Sequence, residues 1–143
     1  MKRVSPETGK RLLLYASILF LFALFIFFSG ACASRRLALY REDGSPLSIV
    51  EYEKLAQKER DANRFENAIK AYEAIVEHYG DNVGAVLWAT YEIGFCYYRL
   101  ERYADAEVYF KKIVDESQDP TAKKLSKDML ARIVDKTSKK KTR

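Results

Sequence analysis

Few side chains in this sequence are of types and spacings that could do covalent or metal chemistry. His78 is the single histidine and Cys32 and Cys96 are the two cysteines. No serine or cysteine stands in a recognisable catalytic pattern with His78, no glycine-rich loop could cradle a phosphate, and no metal-ligand spacing occurs. The chain therefore reads as a non-enzyme without cofactor or metal, with His78 an exposed residue at a helix end. Cys96 lies in a tightly packed apolar helix, where a free thiol behaves as a small hydrophobe. Cys32 differs, because it closes the stretch "FSGAC" at the boundary between a long apolar run and an ordinary charged chain.

Four basic side chains in residues 1–11 precede "LLLYASILFLFALFIFF", Leu12 to Phe28, which has no charge. A basic segment followed by an apolar one is the pattern of an export signal. The run is longer than a cleavable signal needs and just short of the roughly 18–20 residues of a bilayer-spanning helix. Ser29, Gly30 and Ala31 then remove side-chain bulk immediately before Cys32, as a signal peptidase cleft requires. The ending resembles the lipobox of bacterial lipoproteins, with Ser29 where leucine is usual. That resemblance implies cleavage between Ala31 and Cys32, acylation of Cys32, and attachment by lipid to an envelope membrane. Ala33, in place of the aspartate that retains enteric lipoproteins at the inner membrane, implies the outer membrane facing the periplasm. An uncleaved signal-anchor is the alternative. Both place residues 33–143 on the same side, since the basic residues hold the N-terminus in the cytoplasm.

The net charge of +5 and isoelectric point near 9.1 mislead, because the basic excess sits at the ends. Residues 51–135 carry 13 basic and 17 acidic side chains, whereas 136–143 carry five basic and none acidic. A nucleic-acid ligand would want basic residues clustered on a folded face, so none is expected. The tail 137–143 reads as disordered, and binding of anionic envelope polymer through its basic residues is one alternative function.

The binding candidates need helices to hold them. Residues 32–47 show no helical period and read as a tether with Gly44 and Pro46. From Ser48 the pattern is helical to 136. Ser48 and Glu51 form a capping box ahead of a first helix with Tyr52, Leu55 and Ala56 on one face. A turn at Asn63 to Phe65 leads to a second helix bearing Ala68, Ile69, Tyr72, Ile75 and Val76. Gly80 is placed for a left-handed cap, and Asp81 or Asn82 starts a third helix that ends near Arg102. A fourth covers "ADAEVYFKKIVDES". Asp119 and Pro120 open a fifth, about 120–136, with Leu125, Met129, Leu130, Ile133 and Val134 on one side.

"RFENAIKAYEAIV" (64–76) and "RYADAEVYFKKIV" (102–114) align at an offset of 38. A repeat of that length is the mark of a helix-pair solenoid. Over residues 49–119 the pattern resembles the tetratricopeptide repeat. Leu55, Ala56, Ala68 and Tyr72 in the first unit, and Gly94, Tyr97, Ala106 and Phe110 in the second, fall on its packing positions. Glu59 stands where an aromatic is usual. The expected fold is all-α: two helix-turn-helix units and a C-terminal capping helix, behind an N-terminal hydrophobic signal helix. The usual period is about 34, so the connection around Asp81 to Ala85 should be longer than normal.

In this family the first helix of each unit lines a concave groove. The corresponding residues in the second unit are Trp88, Tyr91, Phe95, Tyr98 and Arg99, facing Val50, Glu53, Gln57, Arg60 and Asp61 of the first. Aromatics and arginine dominate interface hot spots, so the stripe is a candidate partner-binding groove. The same spacing would also suit a stripe buried under the fifth helix or under Leu37 to Tyr40. Export together with the repeat resembles the lipoproteins of the outer-membrane assembly machinery and the Tol-Pal-associated periplasmic protein. That implies a lipid-anchored adaptor for an envelope protein, and no small-molecule substrate. A signal-anchored subunit of an inner-membrane secretion or division complex is the second possibility.

Overall fold

The computed structural model describes residues 37–141, with side chains through residue 140. The signal segment 1–31, its cleavage residues Ser29, Gly30 and Ala31, the acylation candidate Cys32 and residues 33–36 lie outside the described residues. Five helices follow one another: α1 Ile49–Asp61, α2 Phe65–His78, α3 Val83–Arg99, α4 Tyr103–Glu116 and α5 Pro120–Lys141. Each packs on the next, and α3 also touches α5. Among the described residues no helix is long and apolar enough to cross a membrane.

The helix starts follow from local chemistry. At α1 the Ser48 hydroxyl accepts from the Glu51 N–H while the Glu51 carboxylate accepts from the Ser48 N–H at 2.7 Å, completing the expected capping box. Asn82 caps α3 by accepting from the Ala85 N–H at 3.0 Å. Asp119 caps α5 by accepting from Thr121 and Ala122, both at 2.8 Å, with Pro120 as the first helical residue.

The two helix pairs turn in the same way. Asn63 (φ 55°) and Glu101 (φ 58°) are the left-handed residues, and Arg64 and Arg102 then donate their N–H groups back to the Glu59 and Tyr97 carbonyls. This six-to-one bond satisfies the orphan carbonyl at each helix end. In unit one the Arg64 guanidinium forks onto Glu59 at 2.6 and 2.9 Å, with Asn67 donating at 2.9 Å. In unit two the equivalent Arg102 lies 4.6 Å over the Tyr97 ring and pairs with Asp105 at 2.7 Å. One arginine position thus serves either an anion or an aromatic at the same place, which is why Glu59 can stand in for the usual ring.

Two apolar clusters result. The first joins Tyr52 and Ala56 of α1, Ala68, Ile69, Tyr72 and Ile75 of α2, and Ala89, Ile93 and Cys96 of α3. The second joins Ala106 and Phe110 of α4 with Met129 and Ile133 of α5, and Tyr91, Phe95, Tyr97 and Tyr98 of α3 pack against it. A Cβ at Gly94 would lie 3.0 Å from the Tyr109 Cβ and 3.2 Å from the Phe110 ring, so a side chain there would have to push these α4 residues back by a few tenths of an ångström. Of the other packing positions, Ala56, Ala68, Ala106 and Phe110 are fully buried, Tyr72 nearly so, and Leu55 and Tyr97 half-buried.

Several expectations need correction. Gly80 has no left-handed φ; α2 ends at His78, and Tyr79 (φ −128°) makes the break, its carbonyl accepting from Asn82 at 2.9 Å. The connection to α3 is four residues, not stretched, and the extra length lies in α3, which has 17 residues against 13 in α1. About one added turn lengthens a helix while roughly preserving its buried face. α3 then stops at Arg99, not near Arg102, because residues 100–102 form the reversal. In α5 the buried face is Ala122, Ser126, Met129 and Ile133; Leu125 and Val134 are exposed. α5 also runs on to Lys141, so the tail through that residue is helical. The Asp135–Lys139 pair at 2.9 Å supports the extension, and basic residues suit a helix C-terminus.

Residues 37–47 are not a free tether. Arg41 and Gly44 (φ 81°) close a small reversal, with a bridge between Tyr40 and Pro46. Leu39 and Leu47 pack on the first cluster. The Tyr52 hydroxyl donates to the Leu39 carbonyl at 2.8 Å and the Tyr79 hydroxyl to the Leu47 carbonyl at 2.7 Å. His78, expected to be exposed, is half-buried, stacked on Tyr52 and edge-on to Tyr40.

Glu59 sets a pH limit on this fold. It is 8% exposed, and the Arg64 and Asn67 hydrogen bonds lower its pKa from 4.5 to about 2. The unfolded chain therefore takes up this proton first. The contribution of Glu59 is complete above pH 4.5 and is lost as pH falls through about 2. Denaturant titrations between those values should show stability falling with pH, and Glu59→Gln should lower stability by about 2 kcal/mol near neutrality and flatten that acid limb.

Candidate partner-binding face

The first helix of a pair presents one side to its own partner, one to the preceding unit, and a third to the hollow of the solenoid. α3 has most of its circumference occupied, since both clusters use it. Of the expected aromatic stripe, Trp88 is 39% exposed and is the one open ring. Its ring meets Tyr91 edge-on at 6.0 Å, and Tyr91 in turn meets Phe110 at 5.4 Å. Phe95 lies under the Arg60 guanidinium at 5.9 Å, and Tyr98 packs against Tyr103 at 5.6 Å. Arg99 stacks over the Phe65 ring of α2 at 4.8 Å. The stripe therefore divides: Tyr91, Phe95 and Tyr98 are half-buried beside α5, and Trp88 stands at the edge.

The opposing wall is as polar as its sequence implies. Val50, Gln57 and Asp61 are exposed, Glu53 half-buried, and Arg60 reaches across to an ion pair with Glu92 of α3. A cleft of about 240 Å³ opens where the walls meet, between Glu53 and Gln57 on one side and Trp88, Ala89 and Glu92 on the other, with Tyr72 and Ile75 beneath. Its electrostatics are set by burial and by Glu92. Both raise the pKa of the Tyr72 hydroxyl, burial more, so it stays neutral at any ordinary pH. Cys96, fully buried nearby, has its thiol pushed up to about 12 by burial, which makes it inert as a nucleophile.

A second, more apolar cleft of about 500 Å³ was not anticipated. Gly80, Val83, Gly84 and Leu87 form one side, and Ile113, Glu116 and Gln118 the other. It lies between the start of α3 and the end of α4, and Val83 beside it is 77% exposed. The 38-residue offset announces an insertion, but periodicity cannot say which element takes it. Ser126 was also missed; it is wholly buried, and the pattern of large apolar residues on α5 drew attention to Leu125 instead.

The exposure of Trp88 against the enclosure of its neighbours has a measurable consequence. Trp88→Ala should leave stability within about 1 kcal/mol of the parent, whereas Phe110→Ala should lose about 3–5 kcal/mol in chemical denaturation. A comparable loss from both would place Trp88 inside the core.

The tetratricopeptide repeat model matches residues 59–133, so the repeat extends beyond the second unit and takes in most of α5. No curated protein and no solved structure matches the chain. With more than half of its length covered by that match, and helix pairs meeting at small residues in both units, the chain belongs to the tetratricopeptide repeat family.

Proposed function

We propose that this protein is a lipid-anchored adaptor of a bacterial envelope, facing the periplasm and holding a partner protein against the concave face of its repeats. The repeat fold is a protein-interaction module, and it is that module which carries the adaptor reading. The observation that supports this face is the open Trp88 of α3 across the cleft from the half-buried Glu53 of α1. A large aromatic left at a surface that otherwise buries its rings is the kind of residue that anchors an interface.

The envelope location is supported by residues 1–32 alone. Basic residues, an apolar run and Ser29-Gly30-Ala31 before Cys32 fit acylation of that cysteine, and acyl chains contribute about 0.8 kcal/mol per buried methylene toward holding the repeats at a membrane. An anchor would raise the local concentration of the repeat face for membrane partners. The absence of aspartate after Cys32 favours the outer membrane, and assembly of outer-membrane proteins is the process the adaptor would serve. The 17-residue run and Ser29 favour a second reading, a signal-anchored subunit of an inner-membrane secretion or division complex. Binding of anionic polymer by the basic residues of 136–143 is a third, and the exposed end of α5 is available for it.

Two measurements separate these. The intact mass of protein extracted from membranes should be that of a chain starting at Cys32 with acyl mass added, and Cys32→Ser should lack it; an unmodified 143-residue chain would establish the signal-anchor instead. Within cells, a photocrosslinker at Gln57 should trap a discrete partner that the same group at Val108, on α4, does not. Equal yields at both would refute the concave face as the site.

A further inference from the structure

We propose that the cleft between α1 and α3 receives a basic side chain, lysine or arginine, of the partner protein. The proposal rests on the concave face being the partner-binding face and names the chemistry that this face selects. Two carboxylates line the cleft, Glu53 from α1 and Glu92 from α3. The cation that the fold itself supplies there, Arg60, is paired with Glu92 and held over the Phe95 ring. Glu53 has no ion pair among the described residues, so a negative charge is left facing the cleft without a counterpart.

A second feature points to the same ligand from a different direction. Tyr72 lies beneath the cleft, is only 4% exposed, and its hydroxyl takes part in no hydrogen bond among the described residues. Among the described residues the sealed-off polar atoms without a partner are His78 Nε2 and Ser126 Oγ, so the Tyr72 hydroxyl is not one of them and keeps an opening through which a donor entering the cleft can reach it. An ammonium or guanidinium has several N–H donors, enough to serve the Tyr72 oxygen and the Glu53 carboxylate together. Burial keeps the Tyr72 hydroxyl protonated, so it meets the ligand as a neutral group.

The third feature is the indole. This protein stacks guanidinium groups on rings at three places, Arg60 on Phe95, Arg99 on Phe65 and Arg102 on Tyr97. Trp88 has the ring type that attracts cations most strongly, yet among the described residues its ring contact is the edge-on one with Tyr91. An incoming cation would find the indole and Glu53 lining one cleft, the same pairing of ring and carboxylate that Arg60 finds in Phe95 and Glu92.

Other occupants fit less well. An acidic side chain would be repelled by both glutamates. A purely apolar one would cover Glu53 without compensating its lost hydration. At about 240 Å³ the cleft is smaller than the roughly 300–1,000 Å³ of small-molecule sites, which suits one side chain better than a cofactor.

Trp88 is the single tryptophan, so its emission reports on the cleft directly. The probes are three acetylated, amidated pentapeptides, Leu-Ala-X-Ala-Leu, in which X is arginine, its neutral isostere citrulline, or glutamate. The arginine peptide should bind at least about fivefold more tightly than the citrulline one, a difference near 1 kcal/mol, with glutamate weakest. The preference should shrink in salt on the order of 0.5 M. Glu53→Gln should abolish it while leaving helical content unchanged, since Glu53 is in no ion pair whose loss would unsettle the fold. Equal binding of the arginine and citrulline peptides, or an undiminished preference in Glu53→Gln, would overturn the basic-side-chain proposal and leave the concave face standing. No response of Trp88 to any of the three would overturn both.

Discussion

α3 has to serve two cores at once, and the rest of the structure is arranged around that demand. Its Ala89, Ile93 and Cys96 close the first cluster, while Tyr91, Phe95 and Tyr98 cover the second. Gly94 eases it, because a side chain there would press on the α4 residues Tyr109 and Phe110 at 3.0–3.2 Å. A helix pair cannot bury its apolar face alone, so a solenoid this short has to share helices between interfaces. What α3 has left to offer a partner is narrow: the Trp88 edge and the Glu92 carboxylate, opposite the polar wall of α1.

The ends of the repeat are finished by different means. At the N-terminal end the segment 37–47 lies over the first cluster, held by two tyrosine hydroxyls that donate to its carbonyls and by the Arg41–Glu51 pair. At the other end α5 covers α4 with Ala122, Ser126, Met129 and Ile133 and turns a charged surface outward. A capping element with a polar outer side is what solenoids require for solubility.

Much of this was legible in the sequence where a local rule decides the outcome. Ser48 with Glu51, Asn82, and Asp119 before Pro120 announce three helix starts by their own chemistry, and the aligned "RFENAIKAYEAIV" and "RYADAEVYFKKIV" give the pairing. Legibility failed where tertiary contacts choose between equally allowed local states. Gly80 could have taken a left-handed cap, but α2 breaks off at Tyr79, whose hydroxyl donates to the Leu47 carbonyl and whose own carbonyl accepts from Asn82. Residues 37–47 looked like a spacer because they have no helical period; they dock through Leu39 and Leu47 on the first cluster and through the hydroxyls of Tyr52 and Tyr79. Spacing laid the aromatic stripe along α3, but it could not say that Tyr91, Phe95 and Tyr98 would pack against the cluster of α4 and α5 while Trp88 stays exposed. The cleft beside it needed Tyr72 from α2, a residue that the pattern assigns to packing alone.

Native-state hydrogen exchange of the wild-type repeat region against Gly94→Ala would test the sharing of α3 most directly. Forcing α3 away from α4 should speed exchange in α2 and in α5 alike, since both cores rest on the same helix. Acceleration confined to α4 and α5, with α1 and α2 unchanged, would mean that the two cores stand independently and that α3 is not the common wall.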